Sequence, residues 1–206
     1  MYFKQYLHDD LGCSSYFVAS RQSRDAVVVD PAFDIQPYLD LAAERGYTIR
    51  FVIDTHLHAD HLSGNRKLAA ATGAEICLHE SADTVFPFRG LKDGEELHLG
   101  TLLLRVIHTP GHASNHLALL LLEDGLLFSG DHVLNGSTTV INPPDGNMGA
   151  YLDSLDLLAA RCTAHGVAFI LPAHGWVLGF APQAIAQLKA HRLAREAKVA
   201  AAMAER

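Results

Sequence analysis

Apolar and polar positions along the chain follow two periods, which divide it into short strands and helices. Strands are predicted where apolar residues occupy every second position between turn signals. Helices are predicted where apolar residues recur every three to four positions, as before Gly46, which is the expected C-cap. In the first half this predicts, in order, strands near 2–7, 14–20 and 26–30, a helix over 35–45, a strand over 48–53, a helix over 64–72 and a strand over 75–78.

The second half begins with hairpins and ends in helices. The turn Glu123-Asp124-Gly125 separates two apolar runs and is a hairpin signal. Each half runs strands, then helix, then strand, and a two-layer sheet sandwich with helices on both outer faces accommodates this order. Without an interdomain linker, one domain over 1–206 is expected. The predicted elements are strands over 102–107, 116–122 and 126–128, a helix over 150–164, a buried strand over 167–171 and a long Ala-rich helix over about 182–206.

Histidine and aspartate residues cluster directly after the predicted strands. The run Thr55-His56-Leu57-His58-Ala59-Asp60-His61 follows the strand over 48–53, and a loop that leaves a strand can aim several side chains at one point. Three further candidates each follow a later apolar strand, beside a Gly or Pro. Strand ends at one edge of a sheet bring distant residues together, and seven ligands suffice for two metal ions that share a carboxylate. The predicted metal ligands are His56, His58, Asp60, His61, His112, Asp131 and His174.

The motifs THLHADH, HTPGH, SGDH and PAHG resemble those of the metallo-β-lactamase superfamily, across nearly the whole chain. The resemblance implies an α/β fold, the αββα metallo-β-lactamase sandwich, and a metal-dependent hydrolase. It also implies a division of the ligands between two metal ions, expected to be zinc. On this sequence, His56, His58 and His112 would hold the first ion, Asp60, His61 and His174 the second, and Asp131 would bridge both.

Such a site predicts hydrolysis of an ester, thioester or lactone carbonyl. Two divalent ions ~3.5–4 Å apart hold a bridging hydroxide at neutral pH and polarise a carbonyl oxygen. Asp60 is predicted to orient the water and to receive a proton. His132, next to the expected bridging ligand, is a candidate proton donor to the leaving group; the alternative is that it packs the loop.

The N-terminal half, through Thr55–Gly64, resembles persulfide dioxygenases and glyoxalase II thioesterases. The dioxygenases use one iron, whose ligands here would be His56, His112 and Asp131, and this alternative would oxidise glutathione persulfide. The segment after Asp131 lacks the Gly-Arg stretch of those glutathione-using families, which argues against glutathione recognition by the usual residues. The C-terminal half resembles β-lactamase-like hydrolases instead. Further alternatives are a promiscuous β-lactamase, an RNA endonuclease and a non-enzymatic, metal-stabilised interaction domain.

Charge and composition indicate which kinds of molecule the protein binds. Sixteen Lys and Arg against 23 Asp and Glu give a formal charge of −7 with no basic block, which argues against nucleic acid and leaves a small-molecule substrate. Three widely spaced cysteines predict a reduced, cytoplasmic setting, and neither an export signal nor a membrane span is expected. The apolar C-terminal helix is compatible with a homodimer. Its basic residues Arg192 and Arg195 are predicted to form a solvated face.

Overall fold

The computed structural model describes residues 1–8 and 12–204, which form two six-stranded sheets and their flanking helices. The first sheet comes from the N-terminal half of the chain. Its strands, in spatial order, are β1 (Tyr2–His8), β2 (Cys13–Ala19), β3 (Asp25–Val29), β4 (Thr48–Ile53), β5 (Glu75–His79) and β6 (Arg89–Leu91), and its helices are α1 (Gln36–Arg45) and α2 (Asn65–Thr72). β1, β2 and β3 pair antiparallel, whereas β3, β4 and β5 run parallel because a helix returns the chain between successive strands.

The second sheet comes from the C-terminal half. In spatial order it contains β12 (Leu178–Gly179), β11 (Phe169–Pro172), β10 (Leu126–Gly130), β9 (Leu117–Leu121), β8 (Leu102–His108) and β7 (Glu96–Leu99), and its helices are α3 (Met148–His165) and α4 (Ala181–Ala204). Only β10 and β11 pair in parallel, because α3 lies between them in the chain. Within the described residues, none of the helices combines the length and hydropathy needed to cross a bilayer.

The sheets face each other across an apolar core, and helices cover their outer faces. In β2, Tyr16 and Val18 belong to the core between the sheets, whereas Phe17 belongs to the cluster under α1, as the two-residue period of a strand requires. On the other side, Leu155 of α3 and Ile185 of α4 are buried against the outer face of the second sheet. The predicted αββα sandwich is confirmed.

The observed elements differ from the predicted ones mainly at their ends. α3 begins at Met148 rather than at 150, because the side chain of Asn147 accepts the N–H of Ala150 at 2.9 Å and caps the helix. The predicted strand over 167–171 begins only at Phe169, because the backbone of Val167 still belongs to the turn that caps the C-terminus of α3. The helix predicted over 182–206 is observed over Ala181–Ala204, and 205–206 lie outside the described residues. β6 and β12 were not predicted, because edge strands of three and two residues show no alternation.

Candidate metal centre

The loops that carry the predicted ligands leave the two sheets at one place. Asp131 follows β10 and His174 follows β11, and these strands are parallel, so both side chains leave the same edge of the second sheet. The loop after β4 meets this edge, where the N–H of Leu117 donates to the carbonyl of Thr55 at 2.8 Å. The structure therefore brings together the loops that carry the seven predicted ligands.

Asp131 lies between two groups of histidines and presents a different oxygen to each. Its Oδ2 is 3.4 Å from Nε2 of His112 and 3.9 Å from Nε2 of His56. Its Oδ1 is 3.4 Å from Nε2 of His174, which is also 3.2 Å from Oδ2 of Asp60. The two oxygens thus face different ligands, and the bridging role of Asp131 stays a prediction.

Three sets of three donor atoms lie close enough together to hold an ion. The donor atoms of His56, His112 and Asp131 lie within 4.8 Å of one another, and those of His58, Asp60 and His61 form a second set. A third set joins His58 to the buried carboxylates of Asp30 and Asp54. The ring of His58 stands between the first two sets, with its centroid 4.3 Å from the centroids of both His56 and His61. Its assignment to the first ion stays a prediction.

Backbone carbonyls orient two of the ligands. Nδ1 of His112 is 2.7 Å from the carbonyl oxygen of Val140, and Nδ1 of His174 is 2.7 Å from that of Gly12. A carbonyl oxygen only accepts, so each Nδ1 carries the proton. Nε2 of each ring is therefore the atom that faces Asp131. The hydrogen bond to Asp60 raises the pKa of His174 to about 9, so Nε2 of His174 has to lose a proton before it binds a metal ion.

The buried carboxylate of Asp30 orients His58. It accepts the N–H of Thr55 at 2.7 Å and the hydroxyl of Thr55 at 3.0 Å, and its Oδ1 is 3.1 Å from Nε2 of His58. Burial alone would lower the pKa of His58, but Asp30 outweighs it and raises this pKa to about 9. Metal binding through Nδ1 then has to displace a proton. The role of Asp30 was not predicted; its signal is an aspartate directly after a buried strand.

Two buried polar atoms at this place have no hydrogen-bond partner among the described residues. They are Nε2 of His61 and Oδ1 of Asp131. Leaving a buried donor or acceptor unsatisfied is costly, and such atoms are rare in folded proteins. Imidazole nitrogens and carboxylate oxygens are the donors that zinc and iron prefer. The residues present therefore fit a divalent metal centre.

Five of the seven predicted ligands line an open cleft of about 550 Å³, whereas His58 and His61 do not belong to its lining. Asp60, His112 and His174 contribute to its lining, together with apolar residues from the loop after β4. The segment between β10 and α3 forms the opposite wall and contributes Ser137, Thr138 and Val140, among others. A small organic molecule that enters the cleft thus contacts the proposed ligands directly.

The sequence model of the metallo-β-lactamase superfamily matches residues 8–165, which is most of the chain. The chain belongs to this superfamily. A divalent metal ion and a hydrolytic family are implied by this membership, which agrees with the donor set described above.

Several characterised proteins are similar to this metallo-β-lactamase-fold chain. A hydroxyacylglutathione hydrolase of Rhodospirillum rubrum is 34% identical over 147 residues, which cover 70% of this chain and 56% of the relative. An atrochrysone carboxyl ACP thioesterase of Aspergillus chevalieri is 29% identical over 94% of this chain and 61% of its own length. The crystal structure of ETHE1 from Myxococcus xanthus superposes with a TM-score of 0.79 at 27% identity, over 92% of this chain and 82% of that one. The chain thus spans little more than half the length of the two sequence relatives.

His116, which was not predicted, supports the proposed bridging ligand of the superfamily site. It is fully buried, and its Nε2 accepts the backbone N–H of Asp131 at 3.0 Å. Its Nδ1 therefore carries the proton and donates to the hydroxyl of Thr109 at 2.7 Å. Burial, and then the neighbouring histidines, lower its pKa well below the usual range, so it stays neutral. The signal in the sequence is the third histidine of His108-Thr109-Pro110-Gly111-His112-Ala113-Ser114-Asn115-His116.

His132 lies behind the cleft. Its side chain is fully buried between the rings of His116 and Tyr151, at centroid distances of 4.8 and 4.7 Å. Neither ring nitrogen has a hydrogen-bond partner in the part of the chain described, and burial lowers its pKa to about 3. This position favours the packing role over proton donation. The role of His132 as a proton donor stays a prediction.

Arg192 does not belong to a solvated face, and that prediction is wrong. Its guanidinium is partly buried, donates to the carbonyl of Thr139 and lies 5.2 Å from the ring centroid of Tyr151. The hydroxyl of Thr139 in turn donates to the carbonyl of Asp131 at 2.7 Å. Arg192 thus ties α4 to the wall of the cleft. Arg195, by contrast, is exposed as predicted. Helical periodicity could not separate the two, because the loop that Arg192 reaches lies 53 residues earlier.

Proposed function

We propose that this protein is a dizinc hydrolase that cleaves an ester, thioester or lactone carbonyl. The observation that carries the proposal is the position of Asp131, whose two oxygens face different groups of histidines at 3.4 Å. A carboxylate in this position is suited to bridging two ions, and one of its oxygens is buried without a hydrogen bond from any described residue.

The remaining ligands divide around Asp131 as the family resemblance implies. His56, His58 and His112 would hold one ion. Asp60, His61 and His174 would hold the other. Two divalent ions held by these residues would supply an acidified water and polarisation of a substrate carbonyl.

Asp60 is the residue proposed to handle the proton. Hydrogen bonds from His174 and then His61 hold the pKa of its carboxyl well below the usual range, so it is an ionised acceptor. It also lines the cleft, within reach of a molecule above the ligands. In the hydrolysis of a thioester, the oxygen of water bonds to the acyl carbon, the carbon–sulfur bond breaks, and the thiol leaves with a proton that Asp60 is positioned to relay.

The names of the relatives favour thioesters within this class. One is a hydroxyacylglutathione hydrolase and the other a carboxyl ACP thioesterase. Both are longer than this chain, so their substrates are starting points for a screen rather than properties of this protein.

The first test is metal content together with hydrolysis. Protein purified without added metal is expected to contain about two zinc ions per chain and to hydrolyse at least one member of an ester, thioester and lactone panel. Removal of the metal by a chelator should abolish hydrolysis, zinc should restore it, and circular dichroism should show that the fold persists because three apolar clusters hold it. Loss of the fold on chelation, with no turnover of any substrate, would support a metal-stabilised interaction domain instead.

A second candidate function is the mononuclear iron dioxygenase. It is favoured by the compact set of His56, His112 and Asp131, which is the two-histidine, one-carboxylate pattern of such iron sites. About one iron per chain, with oxygen consumption on glutathione persulfide, would replace the hydrolase proposal by this one.

A further inference from the structure

Apart from the proposed metal ligands, only one charged side chain lines the cleft, and it is acidic. That side chain is Asp145, and none of the described residues that line the cleft is a lysine or an arginine. The other lining residues are apolar or neutral. The metal ligands therefore stand at the bottom of a cleft whose walls offer no cation to a substrate.

Asp145 is held at the rim of the cleft by the loop that carries His112. Its Oδ2 accepts the backbone N–H of Ser114 at 3.1 Å, two residues after that ligand. The charge therefore has a fixed place at the entrance. Arg192, the cation that contacts the neighbouring Thr139, donates to the carbonyl of that residue and lines a separate groove with Met148 and Leu152.

Apolar side chains form much of the remaining wall. Val140 is 56% exposed and Leu57 is 36% exposed, and both line the cleft, as do Ala113 and Leu134. Exposed apolar surface inside a cleft favours contact with uncharged, apolar groups, because binding removes that surface from water. An anionic group placed against these walls, away from the proposed metal ions, would lose hydration without gaining a cationic side chain among the described lining residues.

We propose that the cleft selects carbonyl substrates whose flanking groups are uncharged, such as an acyl thioester of a neutral thiol. Asp145 is the specificity-determining residue that discriminates against anionic thioesters, including those of glutathione. This inference rests on the proposed hydrolase function and narrows its substrate class.

The test compares two thioesters that share one acyl group. S-butanoyl-N-acetylcysteamine is neutral, whereas S-butanoylglutathione carries two carboxylates and a net negative charge at pH 7. For the zinc-loaded wild-type protein, kcat/KM is expected to be at least about tenfold higher for the neutral thioester, because the walls repel the anion and offer it no cation.

Asp145→Asn removes the charge while its amide oxygen still accepts the N–H of Ser114. The preference for the neutral thioester is expected to shrink by roughly threefold to fivefold, the scale of one charge repulsion at short range in water. Asp153→Asn is the matched control, since this exposed carboxylate on α3 lies outside the cleft lining and its loss makes the same change in net charge. The control is expected to leave the preference unchanged.

Ionic strength provides a second readout that needs no variant. Raising the salt from about 0.05 M to 0.5 M shortens the Debye length from about 14 Å to 4 Å and should increase kcat/KM for the glutathione thioester. The value for the neutral thioester should stay constant.

The outcomes separate the two proposals. If the zinc-loaded protein hydrolyses neither thioester nor any ester or lactone, the hydrolase proposal fails and this inference falls with it. If it hydrolyses the glutathione thioester as well as or better than the neutral one, the inference is overturned while the hydrolase proposal stands. A preference that neither Asp145→Asn nor salt alters would overturn the role of Asp145.

Discussion

The carbonyl oxygen of Val140 accepts the Nδ1–H of His112 at 2.7 Å. Val140 therefore lines the cleft with its side chain and orients a proposed metal ligand of another loop with its backbone carbonyl. Because Thr139, the preceding residue, accepts a hydrogen bond from Arg192, this link extends to α4. The wall of the cleft, the ligand and the C-terminal helix should respond together to substitution.

Arg192→Met should loosen the wall of the cleft. The change removes the donor to Thr139 but keeps much of the apolar length of the side chain, so the lost hydrogen bond dominates. Because the lost hydrogen bond comes from a charged, partly buried group, the free energy of unfolding should fall by about 1–2 kcal/mol. Urea denaturation measures this change. KM for a hydrolysed substrate should rise more than kcat falls, because the wall contacts substrate and the proton acceptor Asp60 is elsewhere.

Arg195→Met is the control for this change, because Arg195 is exposed on the same helix. It is expected to alter the free energy of unfolding by less than about 0.5 kcal/mol and to leave KM unchanged. Equal effects of the two substitutions would contradict the link between α4 and the loop.

Asp30→Asn should weaken metal binding without removing a ligand. Asn can still accept the N–H of Thr55, but it loses the charge that orients His58. Loss of such an orienting partner typically costs 10–100-fold in metal affinity. Competition for zinc with a chromophoric chelator measures this, and Asp34→Asn, an exposed position that keeps its acceptor for the N–H of Gln36, is the control. Wild-type affinity in the Asp30 variant would count against the orienting role.

Asp131→Ala and His61→Ala should differ in the number of metal ions they retain. Asp131 faces both groups of ligands, so its loss is expected to abolish binding of both ions and all hydrolysis. His61 belongs to one group only, so its loss should leave about one ion per chain. Elemental analysis after gel filtration distinguishes them, with circular dichroism to verify folding. Full metal content in the Asp131 variant would contradict the assignment of Asp131 as the bridging ligand.

Acid should destabilise the fold partly through His79. Its ring stacks on that of His108 at a centroid distance of 3.9 Å and an angle of 10°. Burial lowers the pKa of His79, and the neighbouring His108 lowers it further. The unfolded chain then binds more protons below about pH 6.5, so the stability that the neutral ring contributes is present above that pH and is lost as the pH falls.

His79→Gln removes this titration. The decline in the free energy of unfolding between pH 7.5 and 5.5, measured in metal-free protein to avoid the pH dependence of metal binding, should be shallower in this variant than in the wild type. His98→Gln, at an exposed position of β7, should match the wild type. A wild-type slope in the His79 variant would show that the stack does not contribute.

The sequence by itself determined the elements and the ligand run. Periods of two and of three to four residues depend only on neighbours along the chain, which is why β2, β8 and α1 were predicted within a residue or two. The run from His56 to His61 occupies one loop, so its members are close whatever the rest of the chain does. The family motifs also predicted the ligands that follow later strands, His112, Asp131 and His174.

Only the tertiary structure decided which groups orient those ligands. His58 contacts Asp30, which lies 28 residues earlier in the sequence. His174 contacts the carbonyl of Gly12, which lies 162 residues earlier. Arg192 and Arg195 have the same chemistry and neighbouring positions on one helix, yet one is tied to the cleft and the other is in water. Such pairs depend on the register of the sheets and on the docking of α4, and no period along the chain encodes either of them. The physical reason is that local spacing sets the shape of each element, whereas the packing of distant elements sets which polar groups they bring together.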